Sequence, residues 1–488
     1  MKRSSDKCIV LLICLLCVHS MSLSQEVNLR FDNIKLAAFI DSITAKSEID
    51  IAYDVNAIPV DSVISVDFSR IHPFEAIKQV LSSNEVLVTF LNNQIIIGKA
   101  LKTERDAYLR LKGRVIDKVE GSPLPMVNIT VKNKVLGTIT NSNGDFEFVI
   151  PNQLNKDTLA FSFLGYDNHF IPVESIDSVL LVRLTSHDIH LPEIEVKYQE
   201  VNEILFNVLE NKKQNYWNEQ SLLTGFFRES ILQDAEYVQV SEAIIEISKP
   251  DYGKASSMER ARFIKGRKQD DLQKMENVDF KLEGGPFQFS RIDIARYLDF
   301  FPKEESLYKY EYDGIDFRGD DVLYKVKFKP IDDNGDLLYE GTFFIHSKSY
   351  AIVHVDFSLT KRAIRYSRKA LIKKTSGKVK ARPKYADYSI DYRFVNDKWI
   401  LNKVTGVIII NIVDKRQKIN SDFRAISELL ISNCIAYKGD RFKWSESFKE
   451  SYVLADEIEE TDIEFWGNYN IIKPNEAIEK VFKNKQDN

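Results

Sequence analysis

The chain has 488 residues, of which 44% are hydrophobic and 28% charged, and its formal net charge is −5. This length is too great for one hydrophobic core and favours about three domains. The composition excludes a disordered chain, and the slightly acidic balance gives no indication of a nucleic-acid-binding protein. Runs rich in Val, Ile and Thr outnumber helical patterns, which favours a mainly β protein.

Residues 1–24 have the three parts of a secretory signal peptide. Three basic residues open the segment, residues 9–18 form an apolar centre, and Ser22-Leu23-Ser24 is a small-residue cleavage site. The apolar centre is too short to span a bilayer, although a retained anchor is the alternative. A lipoprotein signal has a small residue just before the cysteine that is lipidated. Here Cys14 follows Ile13 and Cys17 follows Leu16, so lipidation is not expected. We therefore expect an exported, periplasmic protein.

Cysteine usage limits how the exported chain is stabilised. Three of the four cysteines lie in the leader, so only Cys434 lies beyond it. An internal disulfide is then impossible despite an oxidising compartment, and the domains must rely on packing. No later segment reaches 18 consecutive apolar residues, so no transmembrane helix is expected.

Residues 26–99 contain an internal repeat. Residues 27–53 and 64–90 align at a constant offset of 37, which pairs Phe31 with Phe68 and Ile40 with Ile77. Each copy predicts a strand, a helix and a strand, and the second helix opens with Pro73 at a tolerated first-turn position. A further strand is expected at 94–97. The segment therefore predicts a small α/β domain of two βαβ halves.

The order of motifs in this segment resembles the secretin and TonB short N-terminal domain. The matching motifs are Phe31-Asp32, Tyr53-Asp54, Val66-Asp67-Phe68, Glu75-Ala76-Ile77 and Gln94-Ile95-Ile96-Ile97. The resemblance implies a periplasmic docking module that has no chemistry of its own. Its exposed faces would meet regulators or secretion partners.

Residues 111–184 follow a short charged linker and alternate β-rich runs with turn-forming clusters. This alternation is typical of a small β-sandwich. Turns are expected at residues 120–123 and 141–145, where Gly121 and Gly144 tolerate positive φ. The strands between these turns are expected at 113–117, 127–131, 137–140 and 145–150, and further strands at 159–163, 169–173 and 179–184.

This segment resembles the carboxypeptidase-regulatory-like, transthyretin-type β-sandwich of many Bacteroidetes envelope proteins. The matching motifs are Gly113-Arg114-Val115, Pro123-Leu124-Pro125, Asn128-Ile129-Thr130-Val131, Thr138, Asn143-Gly144-Asp145-Phe146 and Gly165-Tyr166. The resemblance implies a transthyretin/Ig-like fold and a non-catalytic appendage. In related TonB-dependent receptors a plug follows the sandwich. Here the resemblance stops at about residue 200, so receptor function is not implied.

Residues 185–214 are predicted to form a linker and an amphipathic helix. That helix should span residues 201–212 and place Ile204, Leu205, Val208 and Leu209 on one face. Residues 215–488 then predict one large antiparallel β domain, with a hairpin over residues 340–359 that turns at 346–350. The predicted strands are 237–248, 322–329, 340–345, 351–359, 386–394, 398–403 and 407–413.

The strand succession of the large domain resembles the half-barrel of periplasmic lipoprotein carriers. Residues 224–229 (TGFFRE), 284–286 and 312–314 also resemble the C-terminal region that accompanies this sandwich in other Bacteroidetes proteins. That association implies no established activity. The fold class is thus multidomain and mainly β: a small α/β (βαβ repeat) domain, a transthyretin/Ig-like β-sandwich and a large antiparallel, half-barrel-like β domain.

Catalytic and metal-binding motifs are weak throughout the chain. His190 and Glu193 spell half of a zinc carboxypeptidase site, but a third ligand is missing, and solvated linker residues are the default interpretation. Asp332, Asn334 and Asp336 imitate a calcium loop that lacks its later ligands, and a hairpin turn is the better interpretation. The chain has no Gly-rich phosphate loop and no nucleophile elbow. We expect no enzyme, no cofactor and no metal site.

Residues 361–384 carry eleven Lys or Arg and no acidic residue. This segment is interpreted as a hairpin with solvated faces and a loop at 375–377. The functional alternative is a patch for anionic headgroups or an acidic partner, although residues 456–464 of the chain itself are acidic as well. The candidate contact residues are Lys361, Arg362, Arg365, Arg368, Lys369, Lys373 and Lys374.

Two functional hypotheses follow. The first is a non-enzymatic envelope protein that docks an unidentified protein partner at the periplasmic face of the outer membrane. The second is a periplasmic carrier that holds a lipid or lipoprotein acyl chain in the large β domain. An unfilled concave sheet near Phe343, Ile345, Val353 and Phe357 would favour the carrier, and a filled core would favour docking. An enzyme ranks third, since it would need His190 and Glu193 to share a pocket with a third ligand.

Overall fold

The structure is a computed structural model. It describes residues 26–483 except 48, 56–57, 82–85, 92–93, 100–106, 177, 188–199, 254–257, 271–280, 283–284, 299, 303–306, 333–337, 375–378, 416–417 and 459–465. The predicted signal peptide and the His190–Glu193 motif lie outside the described residues. Among the helices that the structure describes, none combines the length and hydropathy needed to cross a membrane.

The chain divides into two compact units, residues 1–107 and residues 108–488. The first unit shows the strand, helix, strand order twice and then one more strand. Its elements are β1 (Val27–Lys35), α1 (Leu36–Lys46), β2 (Asp50–Tyr53), β3 (Val63–Ile71), α2 (Pro73–Val80), β4 (Val86–Leu91) and β5 (Gln94–Lys99). The strand-helix-strand order of each repeat is therefore present.

Strand pairing in the first unit joins the two repeats to each other. Strand β1 pairs antiparallel with β3, and β2, β5 and β4 form a second sheet. The two strands of each repeat thus lie in different sheets, unlike a simple βαβ half. Helix α1 buries Phe39, Ile40 and Ile43, and α2 begins at Pro73 with the side chain of His72 accepting from the Phe74 N–H. The apolar stripes of both helices form the core of this unit.

The second unit begins with the sandwich. Its strands are β6 (Tyr108–Asp117), β7 (Asn128–Val131), β8 (Gly137–Ile139), β9 (Asp145–Pro151), β10 (Thr158–Ser162), β11 (His169–Pro172) and β12 (Leu180–Leu184). They form two sheets in the orders β11-β10-β7-β8 and β12-β6-β9, which enclose Phe146, Phe148 and Phe161. At Gly144, with φ of +73°, an added Cβ would lie 2.4 Å from the Val115 carbonyl oxygen. The turn therefore requires glycine.

Helix α3 (Val201–Asn215) follows the sandwich and runs three residues beyond the predicted helix. It buries Ile204, Leu205 and Val208 as expected. Leu209 was predicted on the same face, but its side chain is 36% exposed. The buried stripe is thus narrower than the sequence pattern indicated, because the helix packs along one line of side chains only.

The rest of the chain builds one ten-stranded sheet and several short helices. The sheet strands are β13 (Ser221–Gln233), β14 (Glu236–Lys249), β15 (Arg260–Asp270), β17 (Tyr308–Arg318), β18 (Asp321–Pro330), β19 (Tyr339–His346), β20 (Ile352–Leu359), β22 (Val379–Val395), β23 (Lys398–Asp414) and β24 (Ile419–Ala436). Their order is β15-β14-β13-β24-β23-β22-β20-β19-β18-β17, and every neighbouring pair is antiparallel. The mainly β fold class is confirmed.

The remaining elements are short. They are β16 (Lys281–Leu282), α4 (Gly285–Phe289), α5 (Ile294–Tyr297), α6 (Ala363–Tyr366), α7 (Arg368–Leu371), β21 (Ile372–Lys374), α8 (Leu454–Glu457) and α9 (Glu476–Lys483). Strands β16 and β21 pair with each other outside the large sheet. The predicted hairpin over 340–359 is present as β19 and β20, with Tyr350 N–H donating to the His346 carbonyl in the turn.

Three predictions for the large domain were wrong. Residues 398–403 and 407–413 belong to one strand, β23, which passes through Gly406 without a break. Strands β15, β17 and β24 were not predicted. The basic segment 361–384 is not a hairpin, because α6 and α7 precede β21 and the start of β22. Ala363, Ile364 and Ser367 are buried at helical spacing, so a helix buries the apolar positions while the basic side chains stay in water.

The sandwich packs on the large sheet through a buried polar cluster. The Asn128 amide and the Arg318 guanidinium donate to Asp391 at 2.8 and 2.6 Å, and His354 Nδ1 lies 3.2 Å from the same carboxylate. Burial alone would raise the pKa of Asp391, but Arg318, His354 and Lys403 hold it well below its usual range. Asp391 therefore stays ionised at the centre of this contact.

Backbone and side-chain hydrogen bonds extend the same contact. Gly165 N–H donates to the Phe317 carbonyl at 2.8 Å, and Gly319 N–H donates to the Tyr166 carbonyl at 2.9 Å. These bonds tie a sandwich loop to the end of edge strand β17. The C-terminal segment adds another link, because the Asn470 side chain bonds both the N–H and the carbonyl of Val149. The sandwich and the sheet are therefore one compact unit.

The buried cluster predicts a large effect of Asp391→Ala on stability. Removal of the carboxylate leaves Arg318 and Lys403 buried without their counter-charge, which should lower the free energy of unfolding by about 3–5 kcal/mol. Urea denaturation of the full chain measures it. The control is Asp422→Ala, which removes the exposed Lys384–Asp422 pair at 2.8 Å and should cost about 1 kcal/mol or less. Equal losses for the two variants would contradict this account.

Candidate functional site

The concave face of the large sheet encloses a cavity of about 690 Å³. Eight neighbouring strands of the sheet would span about 34 Å if the sheet were flat. In sheet order they are β13, β24, β23, β22, β20, β19, β18 and β17. Glu229 on β13, Tyr388 on β22 and Tyr308 on β17 nevertheless line this one cavity. The sheet is therefore strongly curved. The volume falls within the range of about 300–1,000 Å³ that is typical of small-molecule sites.

The lining of the cavity is mostly aromatic and aliphatic. The sheet supplies Tyr308, Tyr339, Phe357, Tyr388 and Ile408. Residues 285–298 and 300–301, which contain α4 and α5 and which we call the covering segment, cover the open side of the sheet and contribute further apolar residues. The ring of Phe300 stacks on Phe328 with 5.1 Å between centroids. Such a lining suits the apolar part of a ligand.

A buried polar network holds the covering segment in place. Tyr392 and Tyr252 each donate a hydrogen bond to Asp293, at 2.7 and 2.8 Å, and the Lys249 ammonium lies 2.6 Å from the same carboxylate. Arg296 pairs with Glu259 at 3.1 Å. Burial alone would raise the pKa of Asp293, but Lys249 and the two tyrosine hydroxyls lower it. Helix α5 is therefore anchored to β14 and β22.

Four residues, Phe343, Ile345, Val353 and Phe357, were expected to distinguish an open cavity from a filled core. They do not share one environment. Phe357 lines the cavity. Phe343, Ile345 and Val353 are buried in the main core, and Phe343 lies 4.9 Å from the ring of Phe301. One end of the concave face is therefore filled by the covering segment, and the other end is open.

Glu229 is an unusual charged group in this cavity. Glu229 is only 4% exposed. Among the residues that the structure describes, none forms a hydrogen bond or an ion pair with its carboxylate. Burial raises the pKa of Glu229 from 4.5 to about 7. A buried carboxylate without a partner is costly, so this position is a candidate site residue.

The surroundings of Glu229 are hydroxyl groups and apolar side chains. Ser427 on β24 and Ser241 on β14 are its direct cross-strand neighbours. Ser427 also lines the cavity. The Ser241 hydroxyl is buried and has no hydrogen-bond partner among the described residues. Three polar side chains thus lie side by side across three strands, and two of them, Glu229 and Ser427, line the cavity.

Glu229 lies within the TGFFRE motif but was not predicted to be a site residue. The available signal was the period of two along β13, where Leu223, Phe227 and Ile231 point to the same face as Glu229. An acidic residue in an otherwise apolar face of a strand is a local conflict that often marks function. The remaining lining residues come from distant parts of the chain and carry no comparable signal.

The structure places the predicted basic contact residues beside the cavity. Lys361, Arg362, Arg365, Arg368 and Lys369 are exposed along α6 and α7, and we call these five residues the basic ridge. Lys373 and Lys374 continue the segment in β21. Leu371, the last residue of α7, lines the cavity. The acidic alternative partner, 456–464, is described only for residues 456–458.

The other residues considered for chemistry have structural partners. His346 Nδ1 lies 2.7 Å from the Ser349 hydroxyl within the hairpin turn. His354 lies between Asp356 and Asp391; burial would lower its pKa, but these two carboxylates raise it. Within the described ranges, no group of three His, Cys, Asp or Glu residues is arranged to hold a metal ion. Asp332 follows β18, and residues 333–337 lie outside the described residues. Burial raises the pKa of the Cys434 thiol to about 11.

Comparison with known families identifies the sandwich. Residues 111–213 match the CarboxypepD_reg-like domain. The sandwich is a carboxypeptidase-regulatory-like domain. The match includes the sandwich strands from β6 onward and most of α3. Residues 302–405 match a family of unknown function, DUF5686, which covers the strands from β17 to the first half of β23. The resemblance of residues 26–99 to the secretin and TonB short N-terminal domain stays a prediction.

Solved structures resemble about half of the chain. A protein described as an outer membrane lipoprotein-sorting domain from Vibrio parahaemolyticus is 11% identical, with 50% of this chain and 95% of that chain covered and a TM-score of 0.23. A DUF1329 family protein from Desulfovibrio piger is 9% identical, with 50% and 98% covered and a TM-score of 0.23. A LolA superfamily protein from Nitrosomonas europaea is 11% identical, with 49% and 94% covered and a TM-score of 0.21. These likenesses are too low to indicate a shared activity. No curated protein matches the chain.

The position of Glu229 predicts a pH-dependent gain in stability for Glu229→Gln. The folded-state pKa lies above the ordinary value of 4.5, so the folded protein loses stability as the pH rises through about 7. The Glu229→Gln variant has no carboxylate at this position, so its stability does not fall in this way as the pH rises. At pH 8 it should be more stable than the wild type by about 3 kcal/mol, and at pH 4.5 or below the two should be nearly equal.

Urea denaturation at the two pH values measures this difference. Glu242→Gln is the matched control, because Glu242 is buried on the opposite face of the neighbouring strand and pairs with Arg228 and Arg267 at 2.6 Å each. That control should be destabilised at both pH values. A Glu229→Gln variant that is less stable than the wild type at pH 8 would show that the carboxylate has a stabilising partner.

Proposed function

We propose that the protein is a periplasmic carrier that binds an amphiphilic ligand, such as a lipid or a lipoprotein acyl chain, in the cavity of the large sheet. The observation that supports the proposal best is the cavity itself, which stays open although aromatic side chains surround it. Open apolar space lowers stability, because the lining side chains lose packing contacts. A ligand that fills the space would restore those contacts and bury apolar surface, at about 25 cal/mol per Å².

The edge of the cavity has features that suit entry of an apolar chain. Leu307 lines the cavity and is also 62% exposed, so apolar surface continues from the interior to the outside of the protein. Leu371 lines the cavity at the end of the basic ridge. Tyr366 lies between the ridge residues Arg365 and Arg368 in the sequence and is 64% exposed. Basic and aromatic side chains together are typical of surfaces that contact lipid headgroups.

We further propose that the basic ridge contacts an anionic surface at the periplasmic face of the outer membrane. The leader-like residues 1–24 support export, and the carboxypeptidase-regulatory-like domain supports a non-catalytic role for the sandwich. The docking of an envelope protein through residues 26–99 stays a separate prediction. Crosslinking in intact cells, with residues 26–99 deleted as the control, is its test.

A cavity-filling substitution tests the carrier proposal. Ile408→Trp places an indole in the cavity and should weaken binding of the neutral apolar fluorophore N-phenyl-1-naphthylamine about tenfold or more, because the added ring takes the ligand's space. Fluorescence titration of the full chain measures the binding. Ile409→Trp is the matched control, since its side chain lies on the opposite face of β23 and should leave the affinity unchanged. A wild-type protein that does not bind the fluorophore would contradict the proposal.

Charge removal tests the basic ridge. Replacement of Lys361, Arg362, Arg365 and Lys369 by Ala should reduce binding to vesicles that contain phosphatidylglycerol by about tenfold or more, since each basic group near an anionic surface contributes about 1 kcal/mol. Vesicle co-sedimentation measures it, and added salt should weaken the wild-type binding. The control removes four exposed lysines of the sandwich: Lys112, Lys118, Lys132 and Lys134. Equal losses of vesicle binding in both variants would mean that the net charge of the protein, and not the position of the basic ridge, determines the binding.

A further inference from the structure

Glu229 differs from three other buried carboxylates of the large domain. Glu242 pairs with two arginines, Asp293 with Lys249, and Asp391 with Arg318. The sheet thus supplies a cation for buried carboxylates on both of its faces. Glu229 is as deeply buried as these groups but faces the cavity, and the described residues leave its carboxylate without a partner. A ligand in the cavity is then the group that can satisfy it.

We propose that Glu229 recognises the polar end of the ligand and selects an amphiphile with a hydrogen-bond-donating or cationic group, such as an amine, an amide or a hydroxyl. This inference rests on the proposed function, because it assigns a chemical class to the ligand of the same cavity. Ser241 and Ser427, which flank Glu229, add two hydroxyl groups that can donate or accept. Glu229 and Ser427 thus form an acidic, hydroxyl-bearing part of a lining that also contains Gln288 and Arg291, and an apolar chain would extend from that part along the aromatic side chains.

The described lining contains other titratable groups besides Glu229. Burial raises the pKa of Tyr297 to about 12 and that of Tyr388 higher still, so both stay neutral between pH 5.5 and 8. Tyr308 and Tyr339 are the other phenols of the described lining. Arg291 is the cation of the described lining and lies over the Phe287 ring. Glu242 and Glu428 sit next to the serines in sequence but face the opposite side of the sheet.

Ligand selectivity at two pH values tests the inference. Dodecylamine and dodecanoate share one chain and differ in the charge of the polar end. At pH 8 the wild-type protein should bind dodecylammonium about tenfold or more tightly than dodecanoate, because an ionised Glu229 attracts the one and repels the other. At pH 5.5 the preference should shrink. Displacement of N-phenyl-1-naphthylamine from the full chain measures both affinities.

Two substitutions separate the role of the carboxylate from that of the cavity. Glu229→Gln should still bind N-phenyl-1-naphthylamine but lose the preference for the amine at pH 8. Glu229→Asp keeps the charge and should retain a preference of the same sign. Equal or tighter binding of dodecanoate by the wild type at pH 8, or an unchanged preference in Glu229→Gln, would overturn the inference while the carrier proposal stands. Failure of the wild type to bind the neutral fluorophore would instead overturn the carrier proposal and this inference with it.

Discussion

The curvature of the ten-stranded sheet is the constraint on which the rest of the structure depends. An antiparallel sheet of this width twists and curls, so its concave face cannot be covered by a second flat layer. The covering segment packs Phe301 against Phe343 but leaves a cavity beside Phe357. The position of the cavity, the anchoring of α5 through Asp293 and the exposure of Leu307 at the edge all follow from that incomplete filling.

Glu242 and Glu229 lie on opposite faces of the sheet, and their charges are compensated differently. On the convex face, Arg228 and Arg267 pair with Glu242, and Arg228 also donates to the Ile472 carbonyl at 2.5 Å in the C-terminal segment. Those charges are neutralised within the protein and hold outer layers against the sheet. On the concave face, Glu229 has no such compensation among the described residues. Proteins tolerate such a destabilising group mainly where function requires it, so the lost stability itself points to the cavity.

The carboxypeptidase-regulatory-like sandwich is more than a spacer in this chain. It shares a buried charge cluster with the sheet at Asp391 and binds the end of the edge strand at Phe317. The unpaired backbone N–H and C=O groups of an edge strand can bind a strand of another chain, and a loop that covers them prevents such pairing. The sandwich therefore supports the convex side of the same sheet whose concave side holds the cavity.

The local features of this protein follow from its sequence: the duplicated strand-helix-strand order, the sandwich turn at Gly144 and the hairpin at 346–350. Each depends on neighbouring residues, whose spacing and turn chemistry are visible in one segment. Tertiary contacts are needed to explain why helices form within residues 363–371, why β24 lies between β13 and β23, and why Glu229 faces an open cavity. These outcomes depend on contacts between residues about 200 positions apart, such as Glu229 and Ser427. No local period encodes which distant side chain will leave a space unfilled.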